Sequence, residues 1–89
     1  MARYMAIVHG RPGVFGVVIP DLPGCTSGGA TVDAALRNAV SAISLWADDA
    51  RSDGEKVPKP RSGKKLSADP AIVESLAHGG IFVRLPKIV

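Results

Sequence analysis

A single stretch of this chain carries a sustained 3.6-residue apolar repeat: Val32, Leu36, Ala39, Val40, Ile43, Trp46, Ala47 and Ala50. Polar Arg37, Asn38, Ser41, Ser44, Asp48 and Arg51 lie mostly off that stripe, so the helix it predicts has one face made to lie on a sheet. Thr31 reads as its N-cap, and Asp33 suits the positive end of its dipole. Gly54 is placed to follow a last turn near Ser52 or Asp53. A chain of 89 residues makes one domain with room for one such layer pair, and the flanking segments must supply the sheet.

They do so on both sides. Arg3 to His9 and Val14 to Ile19 read as strands joined by a turn at Arg11-Pro12-Gly13. Alternation sets Tyr4, Ala6 and Val8 on one face of the first strand and Met5, Ile7 and His9 on the other. Both faces are largely apolar, which predicts cover on both sides or one side left for a partner. Pro20 closes the second strand because it has no N–H to donate. In Leu22-Pro23-Gly24-Cys25, Pro23 presets φ and Gly24 admits positive φ, the chemistry of a type II turn, with Asp21 expected to support that turn. Cys25 to Ala30 then runs back as a glycine-broken strand.

After the long helix, Glu55 to Lys65 reads as a basic connector, extended at Pro58 and Pro60 and flexible at Ser62-Gly63. A short helix follows, with Asp69 as cap, Pro70 at its first position, Ile72, Val73 and Leu76 inward, and Gly79-Gly80 at its end. Ile81 to Leu85 forms a last strand stopped by Pro86, and the chain closes on Lys87-Ile88-Val89 without a polar tail. The predicted fold class is α+β: an antiparallel three-stranded meander, one long helix packed on it, then a short helix and a final strand. Residues 1–89 are expected to form one domain, with 55–65 a connector inside it.

Composition narrows the functional classes. One cysteine excludes an intrachain disulfide framework and fits a reducing cytosol, and neither a signal-peptide layout nor an 18-residue apolar run is present. The net charge of +3 is uneven. Residues 51–89 supply all the excess, with Lys56, Lys59, Arg61, Lys64 and Lys65 clustered in the connector. Such a loop contacts phosphate or is simply solvated, and no aromatic residues interleave it.

Residues able to carry chemistry are few. His9 and His78 are the acid/base candidates by residue type but lack the i, i+3 or i, i+4 partners of a metal site, and structural roles are expected for both. Cys25 has no nucleophile signature and reads as a small apolar residue opening a strand. Ser27-Gly28-Gly29 lacks the Lys-Ser/Thr ending of a phosphate loop. Asp21, Asp33, Asp48 and Asp49 do not suit one magnesium site, because Asp33 and Asp48 are roughly 22 Å apart along a helix at 1.5 Å per residue. Trp46, beside Leu45, is expected in the core more than at an interface.

The runs YMAIV, then VFGVVIPDLPGCTSGGATVDAALRNAVSAISLW, then DGEKVPKP resemble the HicB antitoxin family of bacterial type II toxin-antitoxin systems. The most specific part is Pro20-Asp21-Leu22-Pro23-Gly24-Cys25 after Phe15-Gly16-Val17, with Gly29, Thr31, Ala34-Ala35, Asn38-Ala39, Gly54 and Pro58 downstream. The resemblance implies a partial RNase H-like fold with no enzymatic role and no cofactor. It also implies that the chain masks the active site of an RNA-cleaving HicA-type toxin. The residues agree with the absence of nuclease chemistry: an RNase H-type site needs a carboxylate in its first strand, and Tyr4 to Val8 has none.

Members of the family usually continue into a C-terminal DNA-binding domain. With the chain ending at Val89 that domain is expected to be absent, and DNA contact is expected only through it. A cytoplasmic homodimer, or a tetramer, is expected, without membrane association. The toxin surface is expected to involve the long helix and the turn before it: Asp21, Leu22, Arg37, Ser41, Leu45, Trp46, Asp48 and Asp49. A neutraliser of a basic toxin should be acidic, and Asp21, Asp33, Asp48 and Asp49 offer a local acidic surface within a basic chain. A nucleic-acid-binding module using the connector, or a metal-dependent nuclease, is the alternative.

Overall fold

The computed structural model describes residues 3–86, so the chain end at 87–89 lies outside it. Seven elements follow in order: β1 (Met5–Arg11), β2 (Val14–Val18), β3 (Thr26–Gly29), α1 (Val32–Ser52), α2 (Gly63–Ser67), α3 (Pro70–Ala77) and β4 (Ile81–Arg84). The four strands form one antiparallel sheet in the order β3-β2-β1-β4, with Val8 opposite both Val17 and Ile81 and Ile7 opposite both Val18 and Phe82. The α+β expectation holds, the meander being β1 to β3 with β4 added on its β1 side. The first strand starts two residues later than expected and runs on to Arg11, since the pairing continues to Arg11 opposite Val14.

Both faces of β1 are covered, by different helices. Tyr4, Ala6 and Val8 join Val17, Ile19, Leu22 and Leu85 under Ala35, Ala39 and Ile43 of α1. Ile7 packs on the other side with Leu66 of α2 and Ile72 of α3, flanked by Met5, Leu76 and Phe82. The two-sided apolar pattern of β1 thus marks a sheet sandwiched at its β1–β4 end. Val73, expected to face inward, is half exposed.

Helix α1 begins and ends where its capping residues dictate. The Thr31 hydroxyl accepts from the Ala34 amide at 3.1 Å, and Asp53 forms the C-cap just before Gly54. Its buried line runs Ala35, Ala39, Ile43, Ala47 and Ala50. That line is rotated from the predicted stripe: Val32 is exposed, and Ala35, left out of the stripe, is fully buried. Small side chains there let the helix approach β3 closely. A Cβ added to Gly29 would sit 2.7 Å from the Ala35 backbone nitrogen. The Ser27 hydroxyl donates to the Ala35 carbonyl at 3.0 Å, and the Asn38 side-chain amide to the Gly28 carbonyl at 2.8 Å.

The connector departs most from expectation. Residues 63–67 are helical, with the Ser62 hydroxyl accepting from the Lys65 amide at 3.2 Å and Leu66 buried under the sheet. The segment before it is fastened by the Tyr4 hydroxyl, which donates to the Pro58 carbonyl. A chain that looked like a flexible, solvated linker is held because Leu66 has a core to enter and because Tyr4 and Arg61 tie the backbone down.

The close α1–β3 approach makes a stability prediction. Gly29→Ala is expected to lower the urea-unfolding free energy by about 1–3 kcal/mol, since the methyl meets backbone that cannot move aside. Gly63→Ala, where an added Cβ meets nothing, should be neutral or gain up to about 1 kcal/mol by restricting the unfolded chain.

Candidate functional site

The turn that precedes α1 is built into the fold at every residue. Cys25 N donates to the Leu22 carbonyl at 3.0 Å, and Gly24 has φ of +78°, as a type II turn requires. The Leu22 side chain is fully buried, so it props the turn from beneath and has no surface to give a partner. Cys25 is buried directly before β3, and burial pushes its thiol pKa up, away from nucleophile chemistry. The Trp46 indole N–H donates to the Pro23 carbonyl at 2.9 Å, with its ring partly buried against the main core. Trp46 therefore clips the turn to α1 and belongs mainly to the core.

Asp21 was expected to support its own turn, but its partner lies 40 residues away. Its carboxylate accepts from the Arg61 backbone N–H at 2.7 Å and from Arg61 Nε at 2.6 Å, and its side chain is 5% exposed. Arg61 Nη1 donates onward to Asp69 at 3.0 Å, and Asp69 also accepts from the Ala71 amide as the N-cap of α3. The hydrogen bonds that Arg61 donates to Asp21 and Asp69 raise its pKa. The Arg61 hydrogen bond, then that of Ala71, hold the Asp69 carboxyl below its usual range. This carboxylate–guanidinium–carboxylate chain locks the PDLPGC turn, the connector and α3 together. Sequence reading found Asp21 and the Asp69 cap but not their link, because no local spacing announces a pair so far apart.

The outer face of α1 is open. Arg37, Ser41, Leu45, Asp48 and Asp49 all lie exposed along it, and Leu45 is 67% exposed, a bare apolar side chain with polar groups around it. Asp33 pairs with Arg37 at 3.9 Å and Asp48 with Arg51 at 3.8 Å, both loosely and in solvent. Of the eight predicted site residues, the structure brings these five together on one surface and sets Asp21, Leu22 and Trp46 behind it as its support. Asp33 belongs to the same exposed face.

Two of the depressions among the described residues bear on function. One, of about 750 Å³, runs between the connector and the β1–β4 end of the sheet, lined by Arg3, Arg51, Lys59, Arg61 and Arg84 among others. The second, of about 600 Å³, joins His9 on the sheet to His78 beyond α3. The His78 ring nitrogen Nδ1 lies 2.8 Å from the Glu74 carbonyl. Among the described residues no three His, Cys, Asp or Glu side chains converge as a metal site would need. No described helix is long and apolar enough to cross a membrane.

A family model described as the HicB-like antitoxin of bacterial toxin-antitoxin systems matches residues 4–78. The crystal structure of the N-terminal domain of Burkholderia pseudomallei antitoxin HicB is 27% identical at a TM-score of 0.75, over 98% of this chain and 99% of that one. The crystal structure of Burkholderia pseudomallei antitoxin HicB is 29% identical at a TM-score of 0.77, over 98% of this chain and 64% of that one. A HicA3 and HicB3 toxin-antitoxin complex contains a chain 24% identical at a TM-score of 0.76, covering 94% of this chain and 95% of that one, a likeness of fold. No curated protein sequence matches.

The Arg61 clasp should be visible in acid. Because the folded state lowers the Asp69 pKa, the unfolded state binds its proton first. The stabilisation is therefore full above the unfolded carboxyl range near pH 4 and is lost as pH falls through the lower folded value. Thermal melting from about pH 6 down to pH 2.5 should show Asp69→Asn with a lower Tm at pH 6 and a shallower acid decline than the parent.

Proposed function

This chain belongs to the HicB-like antitoxin family of bacterial toxin-antitoxin systems, and from that premise we propose that it binds a HicA-type RNA-cleaving toxin and silences it by covering the toxin's active site. The observation that carries the reading is the family match over residues 4–78, joined to a fold shared nearly end to end with a HicB N-terminal domain. The protein acts by occupancy and not by chemistry. The buried thiol of Cys25 and the scattered carboxylates, with Asp21 committed to Arg61, suit a binding surface better than a catalytic one.

The toxin-facing surface in this reading is the outer face of α1. Leu45 is the apolar anchor, and Asp48, Asp49 and Asp33 give the face an acidic character around Arg37 and Ser41. A fully desolvated apolar residue ringed by charge is the usual centre of an interface, and acidic groups steer a basic RNA-binding protein toward it. Asp21, Leu22 and Trp46 contribute by fixing the turn and the helix that present these side chains. The protein works as a cytoplasmic homodimer, and any DNA contact of the kind made by longer family members belongs to a C-terminal domain.

RNA cleavage by the toxin encoded beside this chain, measured with increasing amounts of the 89-residue protein, is the test. Cleavage should stop near one-to-one. Leu45→Glu and Asp48→Lys should each weaken inhibition by about tenfold or more, near 1.4 kcal/mol, with unchanged thermal melting because both side chains are exposed. Continued cleavage at a large excess of folded protein would remove the reading. Light scattering on the isolated protein is expected to give the mass of a dimer.

A further inference from the structure

The basic depression of the structure collects charge that the fold itself does not use. Arg61 is spoken for by Asp21 and Asp69. The other four cations of the groove come from four places in the chain: Arg3 before β1, Arg51 at the end of α1, Lys59 in the connector and Arg84 on β4. No carboxylate lines the groove, and among the described residues no ion pair joins Arg3, Lys59 or Arg84 to an acid. Arg51 has only its loose solvent pair with Asp48.

Pairing geometry brings two of these cations side by side. Arg84 lies opposite Met5, and the Leu85 amide donates to the Tyr4 carbonyl at 3.0 Å, which carries the β1–β4 ladder one step further. Arg3 is two residues from Met5 and so shares a sheet face with Arg84 as its diagonal neighbour. Like charges at that spacing repel unless an anion sits between them. The opposite wall, at Pro58 and Pro60, is fastened by Tyr4 and Arg61. Lys64 and Lys65 continue the strip of positive charge past the groove mouth along α2.

We propose that this groove grips the sugar–phosphate backbone of a nucleic-acid duplex. Several cations on one rigid strip match phosphates repeated at a fixed interval better than they match one isolated anion. The single aromatic residue at the groove, Tyr4, is buried and turned to Pro58, so no ring is free to stack on an unpaired base, which argues against a single strand. Of its apolar lining only Pro58 is exposed, with Met5, Val57 and Pro60 half-buried, a thin apolar surface for an acidic peptide to dock on. The grip is independent of sequence, and it uses none of the α1 side chains assigned to the toxin.

Fluorescence anisotropy of the full chain with a labelled 20-base-pair DNA duplex, the matching RNA duplex and a single strand of equal length tests the assignment. Duplex binding is expected at low salt. If about four phosphates are engaged, affinity should fall roughly a hundredfold between 50 and 200 mM salt. The triple variant Arg3→Glu, Lys59→Glu, Arg84→Glu should lose binding by at least about tenfold, while Lys56→Glu, on the same connector but outside the groove, should change it by less than about twofold. A preference between the DNA and RNA duplexes names the natural ligand. The assignment is overturned by absence of binding at 50 mM salt, by a single strand or polyglutamate binding as well as duplex, or by Lys56→Glu costing as much as the triple. Toxin inhibition, read on the same variants, should be unchanged, so failure of the groove assignment and failure of the antitoxin reading give different results.

Discussion

The close approach of α1 to β3 sets the geometry on which everything else rests. Gly29 carries no side chain to hold the helix away, and Ala35 presents only a methyl group. Backbone meets backbone, and the carbonyls this exposes are taken by Ser27 and Asn38. A larger residue on either side would lift the N-terminal half of α1, and Ile43 would lose its seat among Val17, Ile19 and Leu22. The same lift would pull Trp46 from the Pro23 carbonyl. Helix position, turn geometry and the exposed α1 face are thus one mechanical unit.

The second layer is fastened differently. Among the described residues, Leu66 and Ile72 are the ones buried against Ile7 on that side, a small apolar contact for two short helices. An α2 of five residues is far below the length that is stable alone. Its order comes from Ser62 at its N-cap, from Leu66 in the core and from Arg61 one residue upstream, whose backbone and side chain are both held by Asp21. An Arg fork supplies fixed, planar geometry that a lysine cannot, so the clasp sets direction as much as it supplies energy. Burial raises the Tyr4 pKa, with the Asp21 carboxylate adding to the effect, and keeps its hydroxyl a neutral donor to Pro58.

What could be read from the sequence follows the range of the interactions. Local chemistry was legible: the Thr31 cap, the Gly24 turn, the Pro70 start of α3 and the alternation of β1 each depend on neighbours within four residues. The phase of α1 was misread because Val32 and Leu36 outrank Ala35 in hydrophobicity, whereas close approach to glycine selects the small residue. The connector was misread because a run of lysines and prolines looks solvated until Tyr4, Asp21 and Asp69 are brought to it from 54, 40 and 8 residues away. The exposure of Arg37, Ser41, Leu45, Asp48 and Asp49 on one face of α1 followed from the helical repeat. The convergence of Arg3, Arg51, Lys59 and Arg84 needed the topology, since no spacing in the chain relates them.

The charge balance resolves once it is divided by surface. Helix α1 holds Asp33, Asp48 and Asp49 against Arg37 and Arg51, while the segment from Glu55 to Lys65 holds five basic residues against Glu55. A net charge of +3 is therefore an average over an acidic helix face and a basic groove that begins at Arg51 in the last turn of the same helix. At physiological salt a charge is felt over about 8 Å, and Asp48 of the helix face stands 3.8 Å from Arg51 of the groove, so the two surfaces adjoin at the last turn of α1. The Asp21–Arg61–Asp69 chain fixes the groove's wall relative to the turn beneath α1. That fixed placement lets one small domain present surfaces of opposite sign side by side.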